Sequence, residues 1–359
     1  MSSTLQNKAA YLDQPGAPLV VRDAPFPKAG PGEIVVRNAA IAINPVDWHI
    51  QDSGLFVKQW PAVVGGDVAG EVHEVGPDVE RFRVGDRVIG TSISMWTGRP
   101  QDGAFQLYTV LLVDKAAHLP SSIPFADGAV LPFALETAIC ALHCDRRNPL
   151  PEFLPGVFTP ALALPYPSLK DGVQPSAGKA IVVYGGSSSV GAVTTQLAAA
   201  AGLYVISIVG AKNFDLAKRS GASECWDHKD PSLVNQIVEA VRKSGKELVG
   251  ILDAISIPET ISKDLEILRQ LNGGHLALTH PHMSGEAVPE NVEIGMIWSG
   301  GVNETTAPLW RMYIGAALES GKLKCVPPPT ILGQGLENIQ AALQLSKAGI
   351  SGTKLVVEL

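Results

Sequence analysis

The sequence predicts an α/β chain in two parts, a compact and partly closed β domain and a doubly wound parallel sheet. Three observations carry that expectation. Residues 8–123 hold many short apolar runs punctuated by glycine and proline, with no helical period between them. From residue 180 onward strand-like and helix-like stretches alternate, as right-handed βαβ units require. At 359 residues the chain is long enough for two domains, each with a core of its own.

In the first part, residues 19–22, 33–38 and 69–76 read as strands, and 83–90 as another entered through the Gly85-Asp86 turn. Residues 126–144 are alanine-rich and helical, interrupted at Pro132. Residues 148–176 are dense in proline and lack an amphipathic period, which marks a long surface excursion. Strands follow at 180–184, 204–209, 249–254, 275–279 and 292–298, with helices at 190–201, 213–220 and 231–244. Amphipathic helices at 309–320 and 336–348 and a strand at 354–359 close the chain.

Hydrophobic residues make up 46% and charged residues 18%, the composition of an ordinary globular enzyme. A net charge of −7 argues against nucleic acid or an anionic membrane as the main partner. The four cysteines, Cys140, Cys144, Cys225 and Cys325, form no C-x-x-C pair and no regular framework. Reduced thiols in a cytosol are the expectation. Residues 1–11 lack the apolar core of a signal peptide, and no apolar run is read as long enough to cross a bilayer, so the expected location is cytoplasmic.

The second part is organised around Val182-Val183-Tyr184-Gly185-Gly186-Ser187-Ser188-Ser189-Val190-Gly191. An apolar strand stops at two glycines, three serines follow, and a long helical pattern begins. Strand, tight turn and helix in that order seat a pyrophosphate at a helix N-terminus. Gly186 and Gly191 have the spacing of the last two glycines of the dinucleotide fingerprint, while Tyr184 holds the place of the first. The alternating elements downstream therefore carry the reading. The plain alternative is a ligand-free βα turn in which the serines only cap the helix. The second strand ends in Ser207-Ile208-Val209-Gly210-Ala211-Lys212-Asn213, without the Asp or Glu that would hold the ribose hydroxyls of NAD. Asp215 lies further on, inside the helix start, and Lys212 can neutralise a 2′-phosphate. NADPH is the expected cofactor, and the missing carboxylate is the stronger half of that argument, since a lone lysine is usually just solvated.

Gly-Asp-Val-Ala-Gly-Glu-Val at 66–72, Val-Gly-Asp-Arg-Val at 84–88, Gly-Ala-Phe-Gln-Leu-Tyr at 103–108 and Ser-Gly-Thr-Lys-Leu-Val at 351–356 join the glycine turn in a recognisable set. Together they resemble the medium-chain dehydrogenase/reductase superfamily over essentially the whole chain. The resemblance implies a GroES-like catalytic domain, residues 1–125 and 309–359, split around a Rossmann NADPH-binding domain at 126–308. That domain carries a proline-rich insertion at 146–178, and the active site is expected between the two. Zinc members carry a Cys ahead of the Asp motif and then Gly-His-Glu. Here Asn44 stands in place of the cysteine, Gly66-Asp67 in place of His-Glu, and no cysteine-rich lobe occurs between Gly90 and Gly103. No metal site is expected.

Within the superfamily, Ala42-Ile43-Asn44-Pro45-Val46-Asp47 resembles quinone oxidoreductases and enoyl reductases. The insertion and Lys212-Asn213-Phe214-Asp215-Leu216-Ala217-Lys218 are most similar to fungal enoyl reductases that act in trans on polyketide synthases. By position, the resemblance implies that Val46, Asp47, Trp48 and His49 lie along the cofactor and that Thr137 faces the nicotinamide. Gly185, Gly186, Ser187, Ser188, Ser189 and Val190 would take the pyrophosphate, and Gly210, Ala211, Lys212 and Asn213 the adenosine phosphate. His228 would flank the adenine.

His49 stands where some relatives carry a lysine as candidate proton donor, and an imidazole can donate a proton near neutral pH. The alternative is a surface histidine, with solvent supplying the proton. Thr137 and His49 are thus the candidate catalytic residues. The activity implied is hydride transfer from NADPH to the β-carbon of an activated alkene. Quinone reduction is the alternative of the same class. A non-catalytic NADPH-binding scaffold or sensor, its cleft blocked by Trp48, Trp60, Trp96 or Trp298, is the alternative of another class. An apolar enone or acyl chain is the expected substrate, since 281–298 can line a pocket for it. A polyketide synthase is a candidate partner, and the chain is expected as a monomer or homodimer.

Overall fold

The computed structural model describes residues 6–144, 148–149, 158–282, 285–299 and 304–359. The chain folds as two compact units. One comprises Met1–Phe133, Gly300–Gly321 and Pro328–Leu359, the other Ala134–Ser299 and Lys322–Pro327.

The first unit is built on Glu33–Ala42, ten residues buried on both faces at nearly every position. A strand buried on both faces reads as a continuous apolar run, and Glu-Ile-Val-Val-Arg-Asn-Ala-Ala-Ile-Ala approaches one. It pairs antiparallel with Asp67–Val75, with Tyr108–Leu112 and with the closing strand Lys354–Glu358. The sheet runs in the order Pro329–Gln334, Lys354–Glu358, Glu33–Ala42, Asp67–Val75, Arg87–Thr91, Ala116–His118. A three-stranded sheet of Val20–Ala24, Asn7–Leu12 and Ala62–Val63 packs into the same core through Tyr11, Leu12 and Val63. The strand expected at 83–90 begins only at Arg87. Gly85 has φ +91°, and the Asp86 carboxylate accepts the Arg83 N–H at 2.8 Å, so these residues close a turn instead. The helix expected at 309–320 is two short ones, Ala307–Met312 and Ile314–Glu319, which meet at Tyr313.

The second unit carries a six-stranded sheet in which every pairing is parallel. Its order is Glu224–Asp227, Tyr204–Val209, Lys179–Tyr184, Glu247–Asp253, Gly274–Leu278, Val292–Met296. Counted along the chain that is 3-2-1-4-5-6, the doubly wound dinucleotide-binding order, with its switch point between the first and fourth strands. Two elements exceed the sequence expectation: the third strand, and the helix Pro258–Gln270 between the fourth and fifth strands. That helix has a legible stripe, for Ile261, Leu265 and Leu268 are buried at i, i+4 and i+7 behind Pro258 in its first turn.

Part of the proline-rich excursion is tied down. Ala163 and Leu164 donate backbone hydrogen bonds to the carbonyls of Cys144 and Leu142, at 2.9 and 3.1 Å. His143 bonds the Leu164 carbonyl at 2.9 Å, and burial lowers its pKa to about 4, so the ring is neutral. Residues 146–147 and 150–157 of the expected insertion lie outside the described residues. One expectation is corrected. The segment Phe125–His143 is long and apolar enough by composition to cross a bilayer, but 83% of its apolar stretch is buried inside the protein, as in a core helix.

Candidate functional site

The glycine turn follows the first parallel strand, Lys179–Tyr184. Gly185 adopts φ +75°, a left-handed conformation that glycine takes without a Cβ clash. The N–H groups of Gly185 and Gly186 both donate to the Ile208 carbonyl on the second strand, at 2.9 and 3.3 Å. The Ser188 hydroxyl caps the helix Ser189–Ala200 by accepting the Gly191 N–H at 3.1 Å. A Cβ on Gly191 would lie 2.2 Å from the Gly185 carbonyl oxygen, so only glycine lets the helix start this close to the turn. The first turn of a helix presents N–H groups that lack intrahelical partners, and the dipole adds positive potential there.

The second strand, Tyr204–Val209, ends beside that turn. Residues 210–213 leave it in a short 3₁₀ turn, and the Asn213 amide donates to the Ser187 hydroxyl at 3.1 Å. Ala211 and Lys212 are exposed, and no carboxylate stands among residues 210–213. His228 follows the third strand. Its N–H donates to the Val209 carbonyl at 3.1 Å, and its Nε2 lies 3.5 Å from where a Cβ on Gly210 would be. The residues expected to take pyrophosphate, adenosine phosphate and adenine thus converge at one end of the parallel sheet. Thr137 lies on Pro132–His143 and is buried.

One feature at this end escaped the sequence reading. Ile255, half-exposed, overlies the turn, 2.7 Å from where a Cβ on Gly185 would be. It is held from below by Asp253, which accepts the Ile255 and Ser256 N–H groups at 2.8 and 2.9 Å and the Thr260 hydroxyl at 2.5 Å. Burial raises the pKa of Asp253. It raises that of Asp264 well above the carboxylate range, with the Asp253 charge as a second cause. The available signal was an aspartate ending an otherwise apolar strand, Leu-Val-Gly-Ile-Leu-Asp.

In the first unit, helix Pro45–Ser53 starts with Pro45 behind the N-cap Asn44, and the Asp47 carboxylate accepts the Asn44 N–H at 2.7 Å. Asn44 also joins a buried polar centre. Its amide N–H₂ donates to Asp67 Oδ2 at 2.8 Å, and its amide oxygen accepts from Lys354 Nζ at 2.6 Å. Lys354 Nζ stands 3.0 Å from the same Asp67 oxygen, while Asp67 Oδ1 accepts the Phe133 N–H at 2.6 Å. All four polar residues are buried, Asp67 completely. Burial raises the Asp47 pKa to about 7; the Asn44 N–H and Lys354 oppose that rise, and the Asp67 charge adds to it.

Val46, Trp48 and His49 of the same helix are half-buried. Trp48 packs on the core of this unit, and its ring stacks on His49 with centroids 3.5 Å apart. Val46, Asp47, Trp48 and His49 therefore share one short helix, whose N-cap is clamped by an ion pair that the sequence reading did not anticipate.

Residues 30–121 match the alcohol dehydrogenase GroES-like domain. Over 353 residues the chain is 58% identical to the dehydrogenase orsE of Emericella nidulans, covering 98% of this chain and 99% of that protein. Over 331 residues it is 36% identical to the trans-enoyl reductase himH of Aspergillus japonicus, covering 91% of this chain and 90% of the relative. Among solved structures, the quinone oxidoreductase from Coxiella burnetii superposes with a TM-score of 0.67 at 21% identity. The match covers 99% of this chain and 100% of that one, a likeness of fold.

Proposed function

The chain belongs to the medium-chain dehydrogenase/reductase superfamily, a family of nicotinamide-dependent oxidoreductases, and on that premise we propose that it reduces activated carbon–carbon double bonds with NADPH and without zinc. The observation that carries this reading is the buried centre at Asn44, Asp67 and Lys354. Zinc needs three or four clustered thiolate, imidazole or carboxylate ligands, and among the described residues no group of three or more His, Cys, Asp or Glu converges. In their place an ammonium is hydrogen-bonded to Asn44 and paired with Asp67, a donor set that does not suit a dication. Alcohol oxidation in zinc members draws on the metal as a Lewis acid. Alkene reduction asks less, because neutral hydrogen-bond donors can stabilise the enolate oxygen it creates.

NADPH supplies the hydride when bound. Residues 185–190 suit its pyrophosphate through helix N–H groups and serine hydroxyls, residues 210–213 suit the adenosine phosphate, and His228 suits the adenine edge. The carboxylate-free end of the second strand and the exposed Lys212 support NADPH over NADH. Val46, Asp47, Trp48, His49 and Thr137 are assigned to the nicotinamide side. Thr137 orients the ring, and the His49 imidazole delivers the proton to the α-carbon. Kinship with a trans-enoyl reductase supports an apolar acyl substrate, presented by a polyketide synthase carrier.

The test is NADPH consumption by the purified protein with a panel of enones, enoyl thioesters and quinones. Turnover on enones or enoyl thioesters supports the reading, and turnover on quinones alone replaces it with quinone reduction. NADPH binding without turnover on any acceptor would make the protein a scaffold or sensor.

A further inference from the structure

We propose that Lys354 is a positioning residue, whose buried ammonium holds Asn44 against Asp67 and thereby sets the first turn of the helix that carries His49. The inference rests on the reductase reading for its consequence in turnover, though not for the geometry.

Two of the three partners sit on paired strands. Asp67 opens Asp67–Val75 and is paired with Ala42 on one side and Thr91 on the other. Lys354 opens the closing strand, opposite Pro329, and its N–H donates to the Pro328 carbonyl at 3.1 Å. Asn44 lies on neither strand. It follows Glu33–Ala42 and caps Pro45–Ser53, so it is the part of the centre that the backbone holds least.

Its amide bridges the two charges in one orientation only, oxygen toward the ammonium and N–H₂ toward the carboxylate. The ion pair thus fixes the Asn44 rotamer, and the Asn44 N–H in turn donates to the Asp47 carboxylate. The chain of contacts runs from Lys354 through Asn44 to Asp47, two residues before His49. Stability alone is a poor reason to keep such a pair, because apolar replacements of buried ion pairs are often as stable. An orientation-specific clamp on a helix start is a reason that an apolar pair could not satisfy.

The variant that separates these roles is the charge-neutral double substitution Lys354→Met/Asp67→Asn, which leaves no buried charge unpaired. Hydrogen exchange over residues 44–54, thermal unfolding, NADPH affinity and steady-state kinetics are measured on the intact protein. In the double variant, exchange at 44–54 is expected to quicken by about tenfold while the parallel-sheet unit stays protected. NADPH affinity is expected to stay within about twofold, while kcat falls by about tenfold or more through lost alignment. Lys354→Arg keeps the charge and is expected to retain both protection and most of kcat.

If the double variant does not fold, Asn44→Ala, which removes the bridging amide and leaves the ion pair in place, carries the same expectation. Unchanged exchange at 44–54, or quickened exchange with kcat within about twofold of wild type, overturns the proposal. Equal losses in Lys354→Arg and in the double variant overturn it as well. A wild-type protein that turns over no acceptor defeats the reductase reading instead, and the exchange measurement then judges the clamp by itself.

Discussion

The glycine turn of the second unit and the polar centre of the first are built in opposite ways. The turn is built from backbone, with consecutive residues 185–191 bringing N–H groups, a capping hydroxyl and tight glycine approaches together at a helix start. The polar centre is built from side chains, and the hydrogen bond from Lys354 to Asn44 joins residues 310 positions apart. The turn closes on itself through backbone hydrogen bonds to the Ile208 carbonyl and the Ser188 cap, whereas the centre pairs its charges through side chains. A backbone site tolerates side-chain change except where a Cβ collides; a side-chain site fails when any one charge is removed.

The largest effect expected on the turn is that of Gly191→Val. A Cβ there would stand 2.2 Å from the Gly185 oxygen and 2.8 Å from the Gly186 Cα, both backbone atoms that cannot step aside. A loss of more than ~4 kcal/mol in unfolding free energy is expected, with loss of NADPH binding. The counterpart in the centre is Lys354→Met, which strands the fully buried Asp67 carboxylate at a cost of ~3–5 kcal/mol. Denaturant unfolding of both variants checks the pair. If Lys354→Met were as stable as wild type, the ion pair would not be the clamp.

These two regions also differ in how far the sequence exposes them. The turn was legible because its parts are contiguous: an apolar strand, Gly185-Gly186, three serines and a helical period occupy a dozen residues. The parallel sheet followed from the alternation of elements, even though its order was not read and the short strand Glu224–Asp227 and the helix Pro258–Gln270 went unread. The centre was half legible. Asn44 and Gly66-Asp67 stood out as replacements for metal ligands, but nothing near Lys354 in sequence marks it as their partner. Pairing of the last strand with Glu33–Ala42 brings it there, and strand pairing is non-local information. The Asp253 support beneath Ile255 was missed for a related reason. A buried aspartate that ends an apolar strand looks like a turn residue until the donors around it are seen.

The centre further predicts a pH dependence that the turn does not. The Asp47 pKa in the folded chain, about 7, lies above its ordinary value of 3.8. Between those values the folded state binds more protons than the unfolded one, so stability falls as pH rises through that window and levels off above pH 7. The slope contributed is at most ~1.4 kcal/mol per pH unit. Melting temperatures of wild type and Asp47→Asn from pH 5 to 8 are expected to differ in slope, with the variant flatter. Parallel curves would remove Asp47 as the titrating group.

Smaller effects test the adenosine end. Lys212→Ala is expected to weaken NADPH binding by up to about tenfold, ~1.4 kcal/mol, and to leave NADH affinity unchanged, as calorimetry with both nucleotides would show. Equal losses for the two would mean that Lys212 does not meet a 2′-phosphate. Ser188→Ala removes one helix cap and is expected to cost ~1 kcal/mol with little change in kcat.

The central claim is hydride delivery to a carbon–carbon double bond, and isotope position tests it most directly. NADPH carrying deuterium at the transferable position is incubated with the protein and an α,β-unsaturated thioester or enone, and the product is located by NMR. A saturated product is expected, with deuterium at the β-carbon, a solvent-derived proton at the α-carbon and an intact carbonyl. Deuterium on the carbonyl carbon of an allylic alcohol would contradict it, because that is the chemistry of a carbonyl reductase.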